Sequence, residues 1–218
     1  MVGLFDSGTG GLNTVRYIKR HAPDVDLVYL IDRARAPYGI KTEGELVKIA
    51  SENIERLSEM GAERVLIACC TASTVHELLP TKLQNISIPI ISEVARRAEI
   101  STRIGRIGVI ATPHTVNTHA FRDALTVNEV YELALPELVT MIDRGLNDAT
   151  VTKDEKAHIE AMLMPLLLRK TDTLVLGCTH FPALKKTIQK LARRYGVRTV
   201  IDSAQIGAQL LSDTIRIK

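Results

Sequence analysis

Two stretches share one design: Val65-Leu66-Ile67-Ala68-Cys69-Cys70-Thr71-Ala72-Ser73 and Leu174-Val175-Leu176-Gly177-Cys178-Thr179-His180-Phe181-Pro182. Each is an apolar run of strand length that stops at a cysteine followed by small polar residues. Such a run reads as a parallel strand buried on both faces, with its polar tip at the carboxyl end. In open α/β sheets that end is where ligands bind. Two thiols delivered in this way from opposite halves of one chain are candidates for a pair of opposed proton carriers.

The surrounding pattern repeats. Val2-Gly3-Leu4-Phe5 reads as a strand leading into Asp6-Ser7-Gly8-Thr9-Gly10-Gly11 and a helix from about Leu12 to Lys19. Arg106-Ile107-Gly108-Val109-Ile110-Ala111-Thr112-Pro113-His114-Thr115-Val116 lies over Met1 to Gly11, glycine on glycine and Thr112 on Ser7. Each of these runs is followed at a similar distance by one of the thiol strands. Strands are expected at 26–31 and 199–201, and an extended run at 86–91, where Pro89 argues against a central strand. A further strand is expected over 127–133. Helices are expected at 43–60, after Ser73, at 94–100, at 136–144, from the Thr152 cap onward, and at 183–193. A last helix after Asp202-Ser203 is expected to return to the first half. The fold class is therefore α/β: two pseudo-symmetric, doubly wound domains with parallel sheets and a site between them. Residues 1–93 with 204–218 form the first domain, and 94–203 the second.

Composition narrows the function. The 218 residues are 45% hydrophobic and 24% charged, as in ordinary soluble domains. A net charge of +3 is too small and too dispersed for a nucleic-acid partner. The start has no basic n-region, and no run approaches the ~18–20 apolar residues of a membrane span, so a cytoplasmic location is expected. Three cysteines, two of them adjacent, make no disulfide framework.

The Gly-rich turn after the first strand invites a small ligand, but Asp6 and Ser7 precede the glycines and the dinucleotide spacing is not met. A carboxylate or amine ligand is the better reading. Pro37-Tyr38-Gly39 reads as a turn, either plain surface or part of the site. A single cysteine at a strand end is more often buried filler; two at equivalent places in a repeat change the odds. The active form is the thiolate, so each thiol needs a helix N-terminus or a polar partner to lower its pKa. His180 stands beside Cys178, and Asp6 is the matching group for Cys69. Taking a proton α to a carboxylate from one face and returning one from the other inverts the carbon, given donors for the developing charge. Gly10, Gly11, Thr71, Thr112, Thr115 and Thr179 are the candidate donors. No lysine stands in a setting suited to pyridoxal phosphate, so no cofactor is expected. A metal site from Cys69, Cys70, Cys178 and His180 lacks any familiar spacing, and no metal is expected.

Four blocks carry a resemblance: Gly3 to Leu12, Pro37-Tyr38-Gly39, Ala68-Cys69-x-Thr71-Ala72-Ser73 and Leu176 to Pro182. In order and spacing they closely resemble the signatures of glutamate racemases. The resemblance implies a cofactor-independent, two-thiol enzyme of the aspartate/glutamate racemase superfamily, commonly a homodimer, that supplies D-glutamate for peptidoglycan. It implies that Cys69 serves the D-enantiomer and Cys178 the L-enantiomer, with Asp6 and His180 assisting. Ser7, Pro37, Tyr38, Gly39, Thr71, Thr112 and Thr179 would line the substrate. Three departures stand out. Cys70 replaces the family's asparagine beside the substrate. Asp143, in Ile142-Asp143-Arg144-Gly145, replaces a glutamate. The sequence stops soon after Asp202-Ser203. The rival readings are an aspartate or broad acidic amino-acid racemase, another reaction of the superfamily such as decarboxylation or cis–trans isomerisation, and a ligand-binding homologue catalytically impaired by Cys70 and the short C-terminus.

Overall fold

Strand β1 (Val2–Asp6) runs through helix α1 (Gly11–His21) to β2 (Leu27–Ile31), and α2 (Glu43–Glu59) leads to β3 (Arg64–Ile67). Two one-turn helices, α3 (Cys70–Ser73) and α4 (Thr81–Gln84), precede β4 (Ser87–Pro89). Helix α5 (Ile90–Ser101) crosses to β5 (Arg106–Ala111). Then come α6 (Pro113–Asn117), α7 (Ala120–Ala124), β6 (Glu129–Ala134), α8 (Pro136–Asp143) and α9 (Lys153–Leu167). Strand β7 (Thr173–Gly177), α10 (Lys185–Arg193), β8 (Thr199–Asp202) and α11 (Ser203–Arg216) complete the chain. The computed structural model describes residues 1–127 and 129–216, with side chains described as far as Leu211. Asn128, inside the strand expected over 127–133, lies outside the described residues. Among the described residues no helix is long and apolar enough to cross a membrane.

All strand pairs are parallel, in two sheets of identical order, β2-β1-β3-β4 and β6-β5-β7-β8. The sequence repeat is realised in register: Gly3 lies between Val28 and Val65, and Gly108 between Tyr131 and Leu174. Side chains alternate across a strand, so a strand buried on both faces feeds two cores. In the first sheet Phe5, Val65 and Ile67 join a core with α2, while Leu4 and Leu66 point the other way. In the second, Leu174 and Leu176 pack with α9 and α10, while Val109 and Val175 point the other way. The two inward faces meet in one shared apolar core with α5 and α11, where Ile90, Val94, Ala98 and Leu211 are buried. Helix α11 packs on α1 and α5.

Three local expectations need correction. The extended run over 86–91 is a strand only over Ser87–Pro89, and the helix expected from Val94 begins at Ile90. Proline has no N–H to continue a ladder, so β4 stays a short edge strand and Pro89 becomes the cap of α5. The helix expected after Ser73 instead starts at Cys70, with Cys69 at its N-cap. Helices α6 and α7 had no long periodic pattern to announce them; each is five residues. By contrast, the Thr152 cap forms a full capping box with Glu155, as its composition suggested.

Candidate active site

The tips of the four central strands supply the site. Asp6 closes β1, Cys69 follows β3, Thr112 follows β5 and Cys178 follows β7. The carboxyl ends of the two sheets meet around a cavity of about 750 Å³. Both Cys69 and Cys178 line it, together with Ser7, Pro37, Tyr38, Gly39, Cys70, Thr71, Thr112, Asp143, Thr179 and His180. Four residues singled out from the sequence, Asp6, Gly10, Gly11 and Thr115, stand behind the wall instead. Asp6 and Thr115 are both 0% exposed and do not line the cavity.

Asp6 acts as a buried bracket between the halves. Its Oδ2 accepts from the backbone N–H of Gly8 at 3.3 Å and of Gly11 at 2.9 Å. The Thr179 hydroxyl donates to its Oδ1 at 3.1 Å from the other half. Gly10 makes this approach possible, because a Cβ there would sit 2.4 Å from the Thr179 Oγ1. A second seam is made of hydroxyls: Thr71 and Thr112 Oγ1 atoms are 2.9 Å apart, and Thr115 lies 3.0 Å from Thr112. Thr115 thus bears on the wall through Thr112 and Thr71. His114 adds a third seam, with Nε2 3.1 Å from Thr74 Oγ1 and Nδ1 3.2 Å from the Lys41 carbonyl.

The two thiols have different company. The Cys69 thiol donates to Ser7 Oγ at 3.7 Å. Cys178 Sγ lies 3.5 Å from His180 Nδ1, and His180 Nε2 is 3.1 Å from Asp143 Oδ1. With the Nε2 hydrogen held by Asp143, Nδ1 is free to accept the proton of Cys178. Asp143 comes from the end of α8, so a cysteine, histidine and aspartate line up across two elements. Tyr38 turns its hydroxyl away from the cavity onto Asp32 and Asn53, in a buried cluster that Arg35 also enters.

Helix dipoles do not lower the thiol pKa values here. Burial pushes Cys69 up to about 11, aided by the Asp6 charge and opposed by the Ala72 and Ser7 hydrogen bonds. Burial likewise pushes Cys178 well up, against the backbone N–H of His180. The reason lies in the helices. Only the four-residue α3 follows Cys69, and a 3₁₀ turn separates Cys178 from α10, so desolvation outweighs the dipole. Cys70 is buried at 2% exposure in the shared core, and burial with the neighbouring Cys178 and Cys69 raises it too. Alkylation of Cys69 by iodoacetamide is therefore expected to quicken about tenfold per pH unit from about pH 7 to 10. Peptide mass spectrometry reads this; a rate flat in pH would mean the thiolate is already formed.

Several lining residues were not anticipated as site residues. Arg33 and Ile40 flank Pro37-Tyr38-Gly39 on one side, and Pro136, Val139, Thr140 and Arg144 come from α8 and its end. Their only sequence signal was proximity to blocks already singled out. Among the described residues, no group of three or more His, Cys, Asp or Glu is arranged to hold a metal ion.

A family model described as Asp/Glu/Hydantoin racemase matches residues 13–211. The chain belongs to the Asp/Glu/Hydantoin racemase family. The glutamate racemase of Aquifex aeolicus is 35% identical over 222 aligned residues, covering 99% of this chain and 83% of that protein. Among solved structures, the glutamate racemase isoform RacE1 of Bacillus anthracis superposes with a TM-score of 0.88 at 32% identity, covering 100% of this chain and 82% of that one. The Francisella tularensis glutamate racemase, solved with D-glutamate, gives 0.83 at 27% identity, covering 99% and 81%. These racemase-family relatives share the two-sheet architecture described above.

Proposed function

We propose that this racemase-family chain interconverts L- and D-glutamate without a cofactor, using Cys69 and Cys178 as opposed bases. The observation that carries the proposal is the placement of both sulfurs, one from each half, on the wall of a single cavity. In this reading Cys178 takes the α-proton of L-glutamate and Cys69 that of D-glutamate, each returning a proton to the face opposite its partner. His180, held by Asp143, accepts the Cys178 proton. Asp6 acts on Cys69 through its charge and through the turn it fixes, because no hydrogen bond joins them. The raised thiol pKa values suit this chemistry once substrate is bound. An α-ammonium in the cavity supplies the nearby positive charge that favours a thiolate. The hydroxyls of Thr71 and Thr112 are the donors for charge developing on the α-carboxylate.

Residues 1–93 with 204–218, and 94–203, act as the two jaws, a division supported by the matching sheet orders and by α11 packing on α1. The proposal extends to a homodimer that supplies D-glutamate for peptidoglycan in the cytoplasm, as the family resemblance implies. Sedimentation of the purified protein reads the assembly. The reaction is tested by incubating the protein with L-glutamate in D2O, without pyridoxal phosphate. D-glutamate carrying α-deuterium is the expected product; absence of exchange with either enantiomer of glutamate and of aspartate defeats the proposal.

A further inference from the structure

The cavity wall is built from both halves of the chain, and the reaction read into it needs their contributions held in one arrangement. His114 lines no part of that wall, yet its ring reaches two of the segments that do. It is the second residue of α6, two positions after Thr112. Its Nδ1 lies 3.2 Å from the carbonyl of Lys41, which closes the 3₁₀ turn Tyr38–Ile40. Its Nε2 lies 3.1 Å from Oγ1 of Thr74, which closes α3. The Thr74 hydroxyl is also 2.8 Å from the carbonyl of Thr71, the residue whose side chain meets Thr112 across the seam at 2.9 Å. One imidazole from the second half therefore stands against two separate segments of the first.

The partners fix the state of the ring. A carbonyl oxygen only accepts, so Nδ1 carries the hydrogen and donates to Lys41. Burial holds the His114 pKa below its ordinary 6.5, against the Lys41 hydrogen bond and the Glu43 charge, so the ring is neutral at pH 7. Nε2 then keeps its lone pair and accepts the Thr74 hydroxyl, while the Thr71 carbonyl retains the backbone N–H of Thr74 at 3.3 Å. The turn lies hard against the second half at this point, because a Cβ on Gly39 would sit 2.9 Å from the Cβ of Thr112. We propose that His114 is a positioning residue: it ties the Tyr38–Ile40 turn and the end of α3 to α6, and so keeps the Thr71 and Thr112 hydroxyls, from opposite halves, on one carboxylate. The inference rests on the racemase reading of the cavity and adds to it the residue that keeps the two walls in place. Donors aimed at developing charge act most strongly in the transition state, so a displaced pair costs turnover before it costs affinity.

The test compares the full-length protein with His114→Ala, His114→Asn, His114→Gln and Thr74→Val, following α-deuterium uptake from L- and D-glutamate over a range of concentrations. His114→Ala is expected to lower kcat about 10–100-fold, with KM changed by no more than about threefold. An asparagine amide can replace the Nδ1 donor and a glutamine amide the Nε2 acceptor, so each of those variants is expected to recover part of the loss. Adding Thr74→Val to His114→Ala is expected to slow the enzyme no further, since the same tie is cut twice. Long-range proton–nitrogen spectra of the histidine rings give a readout independent of turnover. His114, assigned by its loss in the His114→Asn variant, is expected at pH 7 as a neutral ring with its hydrogen on Nδ1. Thermal unfolding checks that each variant is folded at the assay temperature; should His114→Ala not fold, the asparagine and glutamine variants and the spectrum decide. A merely structural role would lower Tm while the folded enzyme kept its kcat, and that result overturns the proposal. So does a His114 ring that is charged or protonated on Nε2 alone, or a further, additive loss in the double variant. The two proposals fail separately. Wild-type protein that exchanges no α-proton defeats the racemase reading, and the role given to His114 with it. Wild-type protein that exchanges normally, beside His114 variants of unchanged kcat, defeats the positioning role alone.

Discussion

Replacing Cys178 with alanine is expected to slow racemisation in both directions by about 10²–10⁴-fold, the usual contribution of a positioned general acid–base group. Both directions suffer because each thiol is the base for one enantiomer and the acid for the other. A second readout makes the prediction sharper. With Cys178 absent, Cys69 still reaches its own face, so D-glutamate is expected to exchange its α-proton slowly with solvent while L-glutamate does not. Cys69→Ala is expected to show the mirror pattern. Chiral chromatography and proton NMR in D2O separate racemisation from exchange. Variants that racemise at the wild-type rate would mean that the sulfurs are cavity lining only. Cys178 is 6% exposed, and the loss of one sulfur from a wall facing a cavity leaves little new void, so folding is expected to survive.

The second large effect concerns Asp6, and it is expected first in stability. Asp6→Ala removes the acceptor of three donors, the N–H groups of Gly8 and Gly11 and the hydroxyl of Thr179. Each buried donor left without a partner costs about 1–3 kcal/mol, partly offset by no longer burying a carboxyl group. A net loss of about 3 kcal/mol follows, or roughly 10 °C in Tm for a chain of this size. Asp6→Asn keeps an acceptor and is expected to be far milder, which isolates the charge. Burial raises the Asp6 pKa above its ordinary 3.8, against His180 and the hydrogen bonds that lower it. A carboxyl held above its unfolded value binds its proton more tightly when folded. Its stabilising contribution is therefore complete below 3.8 and is lost as pH rises through the folded value. Urea unfolding of wild type from about pH 4 to 7 should show that loss, and Asp6→Asn should not. Parallel pH slopes for the two proteins would mean that Asp6 ionises in the folded state as readily as in water.

Much of this arrangement was legible before any coordinates. The alternation of strands and helices, the repeat that lays Gly108 over Gly3, and the cysteines closing β3 and β7 are local properties. They depend on side-chain type and on the period of a strand or helix, and those act over a few residues. What escaped was of two kinds. Pro89 was recognised as unsuited to a central strand, yet its role as the cap that starts α5 was not, because the competing outcomes differ only in where the next segment goes. The sequence places polar partners beside both thiols, but burial in the folded protein pushes both pKa values up. Desolvation depends on how much protein surrounds each sulfur, and that is a property of the packed molecule.

The chain's residue order by itself determined two pseudo-symmetric halves with parallel sheets and placed a cysteine at a strand tip in each. Period and composition suffice for that, since each strand must bury both faces. Only the tertiary structure decided that the two tips share a cavity. It also put Asp6 and Thr115 behind the wall and seated Asp143 on His180. Several of those relations join residues far apart in the chain, as Asp6 and Thr179 show. Such pairings are set by how two sheets and the shared core beneath them pack, which no local pattern encodes.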